Sequence, residues 1–238
     1  MNERGRLDVL LALYRAAQAV RADLVAILIG GALLVSLPGL AARWLAPEGG
    51  YGADVATLVT TLRAVLAMLY LALVSWGVVA RLTGRALAPR AFVQEGLRRA
   101  QPGLKVALLV GAAVVMGLTL RLFAVHGTGE GFALQTLLMI AGLWALGALM
   151  PAVPAAVVER LGPVAALRRA AALTQGNRDR TLILGLILGL ALAPSAVLLA
   201  TLPGPHPLLF AAFELIAWSG AAILPAVVYA GLRSGEAA

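Results

Sequence analysis

Residues 166–181, ALRRAAALTQGNRDRT, gather four arginines into a chain of 238 residues that is 61% hydrophobic and only 13% charged. Soluble domains run nearer to about 45–50% apolar and about 25% charged, and the mean hydropathy here is +0.93. One soluble core of this length cannot hide so much apolar surface, so the natural solvent is a bilayer. Arginines between apolar runs then have a specific reading. Membrane chains accumulate Lys and Arg in the connections that stay in the cytoplasm.

Outward from this stretch, six apolar runs can be traced: Leu24–Leu40, Thr57–Ala80, Val106–Ala124, Phe132–Val158, Leu182–Leu202 and Leu208–Leu232. About 20 helical residues cross about 30 Å of hydrocarbon. The first run is short and borrows residues at its ends. The fourth is long and holds Pro151 and Pro154, which predict a helix kink. No ten-residue alternation marks a barrel, and backbone polar groups in lipid must be bonded within the protein. The predicted fold class is therefore all-α, a polytopic membrane protein with six transmembrane helices. Sixteen of the 19 basic residues fall in alternate connections, with Arg43 and Arg121 on the other side and Arg63 inside a span. That alternation predicts a multi-pass protein of the cell inner membrane with cytoplasmic N- and C-termini. All but one of the basic residues are arginine, which together with the alanine and leucine content points to a GC-rich bacterial genome.

The pattern Leu-x-Arg-Ala occurs at 13–16, 97–100 and 167–170, each time on the cytoplasmic side and before an outward-going span. Around it the sequence predicts short amphipathic cytoplasmic interfacial helices. In 163–175, Val164, Ala166, Leu167, Ala170, Ala171 and Leu173 share one side, opposite Arg168, Arg169 and Gln175. Pro163 opens this helix and Gly176-Asn177 stops it. In 89–101, Phe92, Val93, Gly96, Leu97 and Ala100 oppose Gln94, Arg98 and Gln101, between Pro89 and Pro102-Gly103. Segment 7–21 is less cleanly divided. The chain reads as a single integral membrane domain, 1–238, with a weak three-unit organisation: 1–82, 83–159 and 160–238.

With no cysteine, disulfides, thiol catalysis and thiolate metal sites are excluded. His126 and His206 lack the paired spacing of a metal site. There is no phosphate-binding glycine loop, no Ser-His-Asp order and no carboxylate pair within one span, so neither an enzyme nor a cofactor is predicted. The net charge of +8 follows from topology and implies no nucleic-acid partner. No small-residue cleavage site ends the first apolar run, which is read as retained.

Several residues are candidates for more than topology. Arg168, Arg169, Arg178 and Arg180 suit anionic lipid headgroups, since guanidinium binds phosphate through two bonds, although topology alone would also place them there. Glu159 is expected at the interface, capping or pairing with a nearby arginine. Pro151-x-x-Pro154 resembles the broken helices with which transporters expose backbone groups, though structural kinks are commoner. Gly185-x-x-x-Gly189 permits close helix approach, more simply within the molecule than between copies. Trp44 suits an interfacial anchor, and Trp76, Trp144 and Trp218 suit packing. Arg63 and Glu214 each lie six residues inside parallel spans, about 9 Å below one boundary. Equal depth permits an intramembrane ion pair, with Arg121 as a competing partner and snorkelling of each charge as the alternative.

The run Pro154-Ala155-Ala156-Val157-Val158-Glu159, then Ala166-Leu167-Arg168-Arg169 and Leu173-Thr174-Gln175-Gly176, with the ending Tyr229-Ala230-Gly231-Leu232-Arg233, resembles a bacterial family of uncharacterised polytopic membrane proteins. That family is similar to the membrane domain attached to some glycerophosphodiester phosphodiesterases. It usually places Ser and an aromatic residue where this chain has Ala170 and Ala171. The resemblance implies about six helices. It does not bring phosphodiesterase activity, which resides in a separate soluble barrel whose His and Glu motifs have no counterpart here. The expected role is membrane organisation or interaction, lipid-associated, with membrane lipids and an unidentified protein as partners. The alternative is a small transporter or lipid-handling channel. That would need polar residues converging at mid-bilayer, whereas Ser75, Thr119, Gln135, Thr136, Glu214 and Ser219 are scattered. A water-filled cavity would favour transport and a dry bundle would favour interaction.

Overall fold

A computed structural model of the chain describes residues 7–45, 50, 52–123, 129–201 and 206–236, with the backbone alone at 118, 121–123, 129–130, 194–196, 198–201 and 236. All regular structure among them is helical: α1 Val9–Gly31, a π turn Ala32–Ser36, α2 Leu37–Trp44, α3 Ala53–Leu82, α4 Pro89–Phe123, α5 Gly129–Leu149, α6 Ala152–Glu159, α7 Pro163–Leu173, α8 Arg178–Thr201 and α9 Pro207–Glu236.

Five stretches are long and apolar enough to cross a bilayer: Val9–Trp44, Ala53–Leu82, Pro89–Gly117, Gly131–Glu159 and Pro207–Gly235. The sixth apolar run forms α8, whose far end is described only in part. Val115, Met139, Leu190 and Ile216 stand more than half exposed on these helices. Water would not tolerate that much contiguous apolar surface, so the molecule has the build of a polytopic membrane protein.

The first span is shaped by two irregularities. Asp8 caps α1, its Oδ1 accepting from the Leu11 N–H at 3.1 Å. The helix then bends at Asp23 (φ −117°, ψ 19°), which separates the segment before it from the apolar stretch after it. The π turn lies farther along. Ile27 and Gly39, twelve residues apart, would sit about 120° apart on a regular helix, but the extra residue of the π turn brings them back to about 20°. Both then face the same neighbours: Tyr70 Oη donates to the Ile27 carbonyl at 3.3 Å, and Gly39 lies against Glu214 and Arg63. The span therefore continues past Leu37-Pro38-Gly39 to Trp44, rather than ending at Leu40.

α3 is the hub, packing on α4, α9, α6 and α1. Tyr70, Leu73, Val74 and Val78 of α3, Phe92 of α4 and Val227, Val228 and Tyr229 of α9 are buried in one cluster. Gly77 is required for the α3–α4 contact, since a Cβ there would lie 2.0 Å from the Phe92 ring. Leu7 touches both the turn before α8 and the end of α9: its N–H donates to Asn177 Oδ1 at 2.8 Å, and its Cδ1 would be 3.2 Å from a Cβ on Gly231. Leu7, the 174–177 turn and the C-terminal helix thus meet at one end of the bundle, the arginine-rich end.

One of the three amphipathic segments differs from the sequence reading. Segment 89–101 is not a separate helix, because α4 runs through Pro102 without a break in assignment. The ring removes one backbone donor, yet packing on either side holds the helix: Phe92, Ala100 and Val106 are fully buried. Gly103 serves close packing rather than a stop, since a Cβ there would lie 2.3 Å from Val157 Cγ2 and 2.9 Å from Ala72 Cβ. α7 does begin at Pro163, and Gly176 (φ 84°) follows it. The rest of the protein covers only part of its apolar side. Ala166, Ala170 and Leu173 are buried, Leu167 and Ala171 are half-buried, and Val164 is exposed.

Candidate functional site

The four arginines singled out by the sequence do not form one patch. Arg169 Nε bonds both oxygens of Glu159 at 3.1 and 3.2 Å, and Tyr229 Oη donates to Glu159 Oε1 at 2.8 Å. Glu159 thus ties α6, α7 and α9 together. Arg180 Nη1 donates to the Leu7 carbonyl at 2.6 Å and holds the N-terminal segment. Arg178 lies 5.5 Å over the Trp144 ring, which is more than half exposed rather than packed away. Arg168 is exposed on α7. Two of the four therefore have structural tasks, leaving Arg168 and Arg178 as the ones open to a headgroup.

Pro151 and Pro154 fall where a break was expected. α5 stops at Leu149, Pro151 precedes α6, and Pro154 lies in the first turn of α6. Pro151 has no N–H for the Gly147 carbonyl four residues back. That carbonyl accepts instead from Thr181 Oγ1, and the Ala148 carbonyl accepts from Thr174 Oγ1 at 3.0 Å. Hydroxyls on neighbouring elements consume the freed acceptors, as lipid requires, so the break offers no unspent carbonyls at these positions. Gly185 packs on Leu146, where a Cβ would approach to 2.9 Å, while Gly189 has open space.

The structure brings Arg63 and Glu214 together and adds a third residue. Glu214 Oε1 accepts from Arg63 Nη2 at 2.7 Å and from Arg43 Nη2 at 2.9 Å. The side chain of Arg121 lies outside the described residues. Three further polar contacts follow the same α1–α3–α9 seam. Tyr70 Oη pairs with Ser219 Oγ at 2.7 Å, Ser75 Oγ reaches the Ala222 carbonyl at 3.5 Å, and Arg81 forks onto Asp23, with Nε 3.0 Å from Oδ2 and Nη2 on Oδ1. Arg63, Tyr70 and Arg81 are two and three helical turns apart, hence on one stripe. Leu73, Val74 and Val78 between them are completely buried. Each of these side chains makes at least one bond to a protein partner, and together the contacts tie α1, α2, α3 and α9 to one another.

A groove of about 900 Å³ lies between α4 and α5. It exists because α5 leans on α8 rather than on α4. Leu109, Val110, Ala113, Val114 and Gly117 form one wall, Phe132, Leu138, Met139, Gly142 and Ala145 the other, and Leu167 of α7 contributes at the arginine-rich end. Gln135 and Thr136 are its polar side chains, and the Thr136 hydroxyl already donates to the Phe132 carbonyl at 2.9 Å. Both walls belong to membrane-crossing stretches, and Phe132 is 74% exposed at the rim. Size and lining match the usual ligand pocket of about 300–1,000 Å³, mostly apolar with few polar groups.

Comparison with protein-family models, with curated proteins and with solved structures gives no match.

Sequence reading missed the groove, Arg43 and Asp23. Nothing in the spacing of α5 announces which neighbour it prefers. In the sequence the first apolar run ends at Leu40, which puts Arg43 in the connection that follows. Asp23 carried a faint signal, as a lone acid at the head of an apolar run.

Proposed function

We propose that this protein is a lipid-associated, membrane-organising protein that seats a lipid acyl chain in the α4–α5 groove and does no covalent chemistry of its own. The groove is the observation that carries this reading. An apolar concavity facing bilayer interior is filled by acyl chain, because a void forfeits dispersion contacts along its lining. The lipid gains little from leaving bulk lipid, which is equally apolar, so retention depends on shape and on the amide of Gln135. The packed polar seam supports interaction over transport. A lipid-handling channel stays the second reading, favoured by the lateral opening of the same groove. In this proposal the protein has six spans, sits in the inner membrane of a bacterium and keeps both termini cytoplasmic, with Arg168 and Arg178 toward the anionic leaflet. Kinship with the phosphodiesterase-associated membrane family belongs to the same proposal and rests on the residues quoted above.

The test fills the groove without disturbing the fold. A Cβ on Gly142 meets nothing within 4 Å, so Gly142→Leu projects into free space and also improves helix propensity by about 1 kcal/mol. Lipid retained after extensive detergent washing is measured by native mass spectrometry. Wild type is expected to keep a lipid that Gly142→Leu loses, with the variant melting no lower than wild type. Equal retention by the two proteins would overturn the assignment of the groove.

A further inference from the structure

We propose a second site, at the opposite end of the bundle from the arginine-rich end: Arg43, Arg63 and Glu214 bind the monoanion of a phosphate or phosphodiester. It does not rest on the groove, which lies on α4 and α5, whereas these residues come from α2, α3 and α9.

The reasoning starts with charge. Two guanidiniums converge on one carboxylate oxygen, at 2.7 and 2.9 Å, so these three side chains together carry a net charge of +1, with no second carboxylate bonded to them among the described residues. The surroundings are apolar spans, where such a charge is costly and calls for a counter-anion. Geometry adds a donor. Arg43 Nη1 is buried and has no hydrogen-bond acceptor among the described residues. Its orientation is fixed, because the guanidinium lies 4.8 Å over the Phe210 ring while Nη2 holds Glu214. A planar fork with one arm spent and one unspent is suited to an oxyanion bearing several acceptor oxygens. The buried donor lies at the inner side of a cluster whose other atoms reach the surface. The side chains of Arg43 and Arg63 are 31% and 30% exposed, and that of Glu214 is 21% exposed. Gly39 keeps the space tight: a Cβ there would lie 2.8 Å from Glu214 Oε2 and 3.3 Å from Arg63 Nη2.

A phospholipid headgroup and free inorganic phosphate share this chemistry, and the two arms of the experiment separate them. The full chain in a sugar-based nonionic detergent is titrated with short-chain phosphatidylglycerol in one arm and with inorganic phosphate in the other. Binding is followed by phosphorus NMR and by the rise in melting temperature. Wild type should bind at least one of the two saturably. Saturation by the lipid alone assigns the headgroup, and saturation by both at equal concentration assigns a soluble anion. Arg43→Gln should weaken binding about tenfold, the loss of one charge-assisted hydrogen bond. Glu214→Gln should bind more tightly than wild type while melting lower without ligand, because the competing carboxylate is gone. A purely structural triad would not produce that opposite pair of effects. Gly142→Leu should leave this binding unchanged. Absence of saturable binding to wild type in both arms would overturn the proposal, as would full binding by Arg43→Gln.

Discussion

Glu214 has two partners, and that makes its removal different from removal of either arginine. Without Glu214 two guanidiniums face each other in an apolar setting. Without Arg63, the Arg43–Glu214 pair survives. Breaking a fully buried pair costs about 3–5 kcal/mol. These side chains keep a fifth to a third of their exposure, so about 1–2 kcal/mol is a more realistic scale. In detergent, Glu214→Ala should melt lower than Arg63→Ala, and the double variant should lose less than the sum of the two. Additive losses in that cycle would mean the groups are not coupled. At this scale the sequence was informative where depth could be counted. Arg63 and Glu214 enter parallel spans at matching positions, and depth alone put them within reach. Arg43 escaped the same count because a π turn, invisible in composition, carries the first helix several residues farther and rotates its end toward α9.

Elements were legible where one residue type dictates one backbone outcome and ambiguous where packing decides. Pro163 opened α7, and Gly176, in the left-handed region, followed its end. Pro151 broke the fourth run, and the hydroxyls of Thr174 and Thr181 took up the carbonyls it left. Pro102 was the ambiguous case. A proline followed by glycine reads as a helix stop, yet here the helix passes through the proline, and the glycine admits Val157 and Ala72. Continuity of α4 has a measurable consequence. At a mid-helix position, Pro102→Ala restores a backbone donor toward Arg98 and should raise stability by about 1–3 kcal/mol. Were Pro102 instead ending an interfacial helix, the same substitution would be neutral or destabilising. Thermal melts of wild type and Pro102→Ala decide between the two.

At the scale of the whole molecule, the distribution of charge and the contacts between elements point to the same polarity. Leu7 meets Asn177 and Gly231, so the N-terminal segment, the turn before α8 and the end of α9 share one end of the bundle. Arg81, Arg169 and Arg180 are anchored near that end, on Asp23, Glu159 and the Leu7 carbonyl. Arg43 and Arg63 gather at the other. Arginines used as anchors at one end are hard to translocate, which gives the positive-inside bias a structural complement. Cytoplasmic placement of that end is tested by single cysteines in this cysteine-free chain. Ala88 and Gln175 are exposed at the arginine-rich end and Gly52 at the other, where a Cβ meets nothing within 4 Å. Asn177 would be a poor probe, being buried and bonded to Leu7. In intact cells a membrane-impermeant thiol reagent should label Gly52→Cys, and should reach Ala88→Cys and Gln175→Cys only after the membrane is opened. Labelling of that pair in intact cells would invert the molecule, and with it the leaflet that Arg168 and Arg178 address.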